Sequence, residues 1–118
     1  MNVEQHKGFR QGLEEFNTER FFEAHEAWEE VWLASAGTEK RFLQGIIQIA
    51  AAFHHYQRGN RRGACSLLEA GLRRLHDLPA DHGGIALDRL CLAAGEWVVA
   101  LHGDRDPGRT ALPKIQKA

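Results

Sequence analysis

Proline is missing from the first 78 residues of this 118-residue chain and appears only at 79, 107 and 113. A stretch that long without the residue that removes a backbone donor is open to uninterrupted helix. Val, Ile and Thr are scarce beside Ala, Leu and Glu, which argues against sheet. The two cysteines, Cys65 and Cys91, stand singly in apolar stretches with no CxxC partner. That excludes a disulfide scaffold or zinc ribbon and predicts buried, reduced thiols. No apolar run approaches the roughly 18–20 residues of a membrane span. The segment from Met1 to Lys7 has no apolar signal-peptide core, so the expectation is a cytoplasmic protein. Glycine-rich phosphate loops, GxGxxG and GxSxG are absent as well, which removes the commonest nucleotide and serine-hydrolase signals.

Charge is present but unevenly spread. Residues 1–36 carry eight glutamates against Lys7, Arg10 and Arg20, while residues 37–76 carry seven Lys or Arg against Glu39 and Glu69. The expectation is that an acidic and a basic helix lie side by side or solvate their outer faces. A net charge of −1 makes nucleic acid an unfavoured partner, because that affinity comes from many phosphate contacts.

Periodicity predicts an all-α fold, a compact array of about five helices around a central third, with residues 1–102 as one domain. The first helix is expected over Val3–Phe16, with Asn2 as N-cap and Gln5 completing a capping box; Gly8 and Gly12 weaken it. Asn17 or Thr18 is expected to cap a second helix through Ala34, and Thr38 a third to Arg58. That third segment, rich in Phe42, Leu43, Ile46, Ile47, Ile49, Ala50, Ala51, Ala52 and Phe53, is apolar nearly all round and so must be surrounded by others. Gly59 reads as a left-handed C′ residue and Asn60 as the next N-cap. A Leu-rich fourth helix follows, then a loop over 77–84 and a fifth helix from Ile85 to His102. The tail, 103–118, is expected to run extended over the surface, on or near the domain.

Polar residues inside this pattern suggest a site. On the third helix Gln44, Gln48 and His55 fall within about 40° of one another at 100° per residue. Unpaired burial of each would cost roughly 1–3 kcal/mol, so partners are required. On the second helix His25 and Glu29 are four residues apart at the border of the apolar face. The expected pocket therefore combines Glu23, His25, Glu26, Glu29, Gln44, Gln48, His55 and Asn60. Three uses compete: a structural hydrogen-bond network, a metal site, and a binding or acid–base pocket without metal. The metal reading takes His25, Glu29 and His55 as ligands of a divalent ion with Glu26 as base. Its motif, His25-Glu26-Ala27-Trp28-Glu29, resembles the zinc-protease HExxH with the last histidine replaced. Arg58, Arg61 and Arg62 form a basic turn that reads either as a solvated helix end or as a phosphate contact.

The run from Phe21 to Glu29, followed by Gln44-Gly45-Ile46-Ile47-Gln48-Ile49-Ala50 and by His55 through Gly59-Asn60-Arg61-Arg62-Gly63-Ala64, resembles the domain-of-unknown-function family 309. The resemblance covers about residues 9–78, and Leu112-Pro113-Lys114-Ile115 looks like that family's end. It implies a small, mostly prokaryotic, all-helical protein with no established activity. It also implies that Glu23, His25, Glu26, Gln44, Gln48, His55, Gly59, Asn60 and Gly63 are its characteristic positions. The Gly59-Asn60 turn with its fourth helix also looks like half a tetratricopeptide-type pair, but no second copy occurs at a period near 34 residues. The functional expectation is a binder of a small ligand or metal ion; the alternative is a non-catalytic interaction module or homo-oligomer.

Overall fold

The computed structural model describes all 118 residues as five α-helices with two short 3₁₀ turns and no strand. The helices are α1 (Val3–Asn17), α2 (Phe21–Leu33), α3 (Gly37–Gln57), α4 (Arg61–Leu75) and α5 (Leu87–His102). Each packs on its neighbours in sequence, with α3 between α2 and α4. Phe42, Leu43, Ile46, Ile49, Ala50, Ala52 and Phe53 of α3 are wholly buried, as expected of a surrounded helix. No helix is long and apolar enough to cross a membrane.

The helix ends follow local chemistry, with informative departures. Asn2 and Gln5 form the expected capping box, and the Gln5 amide also donates to the Ala34 carbonyl at the end of α2, 3.1 Å away. One side chain thus serves two helix ends. Neither Asn17 nor Thr18 caps α2, whose N-cap is Arg20. The Asn17 amide is committed to the tail, donating to the Ile115 carbonyl at 2.8 Å and accepting from its N–H at 2.7 Å. Thr18 Oγ1 turns back to the Glu14 carbonyl, and Glu19 makes the turn at φ 65°. Likewise α3 starts at Gly37 rather than after Thr38, and Ile85 is extended. Ile85 is kept out of α5 by an antiparallel bridge to Lys117. Asn60 does cap α4, accepting from the Gly63 N–H at 2.9 Å, and Gly59 takes φ 82°.

An aromatic cluster organises the core. Phe16 meets Phe21 edge-on at 4.9 Å, and Phe53 links that pair to Trp97 of α5 at 5.3 Å. Trp28 is completely buried and satisfies its indole N–H on the Phe9 carbonyl at 3.0 Å. It lies so close to α1 that a Cβ on Gly12 would fall 2.1 Å from its Nε1. Gly45 and Gly71 give α3 and α4 a similar close approach, since a Cβ on Gly71 would fall 2.8 Å from the Gly45 carbonyl oxygen.

The tail departs from the surface path expected of it. Leu112 and Ile115 belong to the main core, and Trp97 Nε1 donates to the Ala111 carbonyl at 3.0 Å. The cysteines depart too: Cys65 and Cys91 are half-buried rather than buried. Burial raises the pKa of both thiols, and Glu69 beside Cys65 adds to the effect there.

Candidate functional site

The rotation of α2 is set by Phe21, Ala24, Trp28 and Val31, which it buries. At 100° per residue this leaves His25 and Glu29 on the flank facing α3, Glu23 and Glu30 on the α1 side, and Phe22 and Glu26 between them. His25 Nε2 lies 3.3 Å from Glu29 Oε2. The other ring nitrogen, His25 Nδ1, is buried without a partner. Phe22 is 45% exposed although aromatic. Its ring stacks on His25 at 6.1 Å and meets His54 of α3 at 5.2 Å.

Thus His54, rather than His55, faces α2. Its pKa is lowered chiefly by burial, then by Arg58 and His55. His55 turns to its own helix end, where its Nδ1 is 3.1 Å from the Asn60 side-chain nitrogen. Gln48 looks away from α2 altogether, its Oε1 accepting from Arg74 Nε of α4 at 3.0 Å. Gln44 is half-buried. The close approach at Gly45 and Gly71 brings this polar stripe to the border of α4. Gln44, Gln48 and His55 are each only half-buried, and Gln48 and His55 have side-chain partners, so the stripe escapes most of the desolvation cost expected of it.

Seven of the eight expected pocket residues therefore fall into four separate groups, with Gln44 outside them. His25 and Glu29 sit together with Phe22 and His54; His55 sits with Asn60; Gln48 sits with Arg74; Glu23 and Glu26 share a cleft. The ligand set His25, Glu29 and His55 is not gathered around one point. The only three His, Cys, Asp or Glu side chains whose ligand atoms all come within 4.8 Å are Cys65, Glu69 and His102. The reason is rotational: an orientation that brings His54 onto Phe22 carries the next residue about 100° away.

Carboxylates dominate the other flank of α2. Glu15, Glu23, Glu26 and Glu30 line a cleft of about 290 Å³ together with Gly8, Gln11 and Ala27. Glu15 comes from α1, has a buried Oε1 without a partner, and has its pKa raised. Burial is the first cause; Arg20 opposes it, and Glu23 and Glu26 add to it. No glutamate of residues 1–36 pairs with a Lys or Arg of residues 37–76. Their Lys and Arg partners lie outside that segment: Arg20, on Glu23, and Arg109 and Lys114, on Glu19. The acidic and basic helices solvate their charge separately.

Other polar contacts tie the elements together. Arg61 donates to the Arg105 carbonyl at 2.6 Å and pairs with Asp106 at 3.5 Å, which ties the basic turn to the tail. Tyr56 donates to the same Asp106, whose pKa is lowered by that bond first and by the Gly108 N–H next. An open groove of about 850 Å³ runs between α1 and the Ile85–Lys117 bridge. Both signs of charge line it, Arg10, Arg20 and Lys117 against Glu14 and Glu15, around a floor that includes Phe9 and Ile115.

The family described as Domain of unknown function (DUF309) has a sequence profile that matches residues 9–67, half of the chain. The chain belongs to this family. The match spans α1 to α4, and so includes both flanks of α2, the α3 stripe and the Asn60 cap. It is 38% identical over 86 residues to the uncharacterised protein YpuF of Bacillus subtilis (strain 168), covering 65% of this chain and 49% of that protein. An uncharacterised protein of Aquifex aeolicus (strain VF5) is 32% identical over 76 residues, 64% of this chain and 23% of its own length. The chain thus spans about half or less of the length of these relatives.

Three residues escape the sequence reading. Phe22 sits beside an apolar face without being part of it. His54, about 100° from His55 on the same helix, reads from the sequence as packed or solvent-facing and not as part of a site. Glu15 joins the α2 carboxylates only because α1 packs there. An i,i+4 signal is present for Cys65 and Glu69, but nothing local announces His102 thirty-three positions later.

Proposed function

We propose that this protein is a binding protein whose α2 surface takes a small, extended organic cation, such as a linear polyamine. The observation that carries the reading is the 290 Å³ cleft lined by Glu15, Glu23, Glu26 and Glu30, of which only Glu23 is paired with an arginine. No three of these carboxylates bring ligand atoms within 4.8 Å of one another, a spread that favours ammonium groups spaced along a chain over one metal ion. Phe22, exposed next to Glu26 on the helix surface, supplies a face for a cation–π contact. His25, with Glu29 on one ring nitrogen and nothing on the other, gives a polar margin to the same surface.

The test is a thermal-shift and calorimetric titration with a linear tri- or tetraamine at low salt. At a hundred times Kd a ligand of the folded state adds about 2.7 kcal/mol of stability. The effect should weaken as salt shortens the screening length to about 8 Å near physiological ionic strength. Glu23→Gln with Glu26→Gln should abolish it and leave the fold intact, since both side chains reach solvent. An equal shift from Mg²⁺, or a shift unchanged in the double variant, refutes the reading.

A second reading has its own support. Leu92 and Val99, seven residues apart on α5, are 68% and 62% exposed, with Gly95 between them. Such a stripe suits self-association of two copies through α5. Sedimentation of the protein and of Val99→Glu tests it; identical monomeric behaviour of the two dismisses it.

A further inference from the structure

On the side of the molecule where α4 meets the end of α5, Cys65, Glu69 and His102 converge. Cys65 and Glu69 are one turn apart on α4, and Cys65 Sγ lies 3.6 Å from Glu69 Oε1. His102 Nε2, from the last turn of α5, lies 3.4 Å from the same oxygen. All three ligand atoms are within 4.8 Å of one another, at the side of an open cleft of about 560 Å³.

The two separations measured to Glu69 also suit donors around one small ion, and the third, from Cys65 to His102, is within 4.8 Å. With Zn–S near 2.3 Å and Zn–N or Zn–O near 2.0–2.1 Å, the edges of a tetrahedron are about 3.5 Å from S to O and about 3.3 Å from N to O. The observed 3.6 and 3.4 Å differ from these by about 0.1 Å. The donor types narrow the ion: thiolate, imidazole and carboxylate suit zinc or cobalt and disfavour magnesium and calcium, which prefer oxygen alone.

We propose that Cys65, Glu69 and His102 form a zinc site with three protein ligands and the fourth position open to the cleft. The ion would be held on helices other than α2, so the site stands or falls independently of the polyamine reading. It would cross-link α4 to the C-terminal turn of α5. One carboxylate, Asp104, lines the same cleft outside the group of three and is available to hold a water on the ion. Zinc takes the thiolate, so the Cys65 thiol gives up its proton on binding. Binding therefore exchanges the S–H proton for an S–Zn bond and releases that proton to solvent.

The test uses full-length, tag-free protein stripped with chelator and kept reduced. Titration with Co²⁺ should give a thiolate-to-cobalt charge-transfer band and the intense visible bands of a tetrahedral ion, both bleached by Zn²⁺. Zinc should raise the melting midpoint, and Ca²⁺ and Mg²⁺ should not. Cys65→Ser should remove the charge-transfer band, and His102→Gln should weaken binding by more than the roughly 10–100-fold that loss of an outer-shell partner costs. Cys91→Ser should change neither. Glu69 and His102 both reach solvent, so His102→Gln keeps the test valid if the Cys65 variant folds poorly. Cobalt bound without a thiolate band, binding unchanged in His102→Gln, or no binding at all would overturn the proposal and leave the trio as ordinary hydrogen bonds.

Discussion

Replacing Gly12 by alanine should destabilise the protein although alanine is the better helix former. The substitution gains about 1 kcal/mol in propensity. Against this, the new Cβ would stand 2.1 Å from Trp28 Nε1 and 2.4 Å from its Cδ1. Trp28 is 0% exposed and wedged between Phe9 and Phe16, so it has nowhere to go without displacing the aromatic cluster. Overpacking of this kind costs about 1–3 kcal/mol, and pulling the indole off the Phe9 carbonyl costs about 1–3 kcal/mol more. The net loss is about 1–5 kcal/mol, which lowers Tm by about 4–20 °C in a chain of this size. Gly95→Ala is the matched control, in the middle of α5 with nothing within 4 Å of the added Cβ. It should gain about 0.5–1 kcal/mol. Urea unfolding followed by circular dichroism and tryptophan fluorescence, at two protein concentrations to separate any self-association, measures both. A Gly12→Ala midpoint equal to or above wild type would refute the packing argument.

Two further outcomes can be checked alongside the cation and zinc titrations. Because His54 has a lowered pKa in the fold, the unfolded chain takes up its proton first as pH falls below about 6.5. Stability should therefore rise with pH between about 5 and 7, and His54→Gln should flatten that slope in denaturant titrations; an unchanged slope rejects the assignment. Ile115→Ala, which truncates a tail residue 5% exposed, should cost about 2–4 kcal/mol in urea. A neutral result would mean that the tail merely rests on the helices.

Helix number, the centrality of α3, the Asn2–Gln5 box and the Gly59–Asn60 turn were legible in the sequence because each is encoded within a few residues. Apolar spacing, a side-chain oxygen beside an orphan N–H, and a residue tolerant of positive φ all act locally. The family, too, could be read from its three motifs in order. Tertiary packing decided what those helices present to one another. A single rotation of α3, held by the close approach at Gly45 and Gly71, carried His54 to Phe22 and turned Gln48 to Arg74. Periodicity states which residues share a face but not which neighbour that face meets. Asn17 shows the same limit, since its amide was equally fit for a helix cap and went instead to Ile115, 98 positions away. The meeting of Cys65 and Glu69 with His102 belongs to this class as well: the i,i+4 pair is written in α4, and its third member arrives only through the packing of α5.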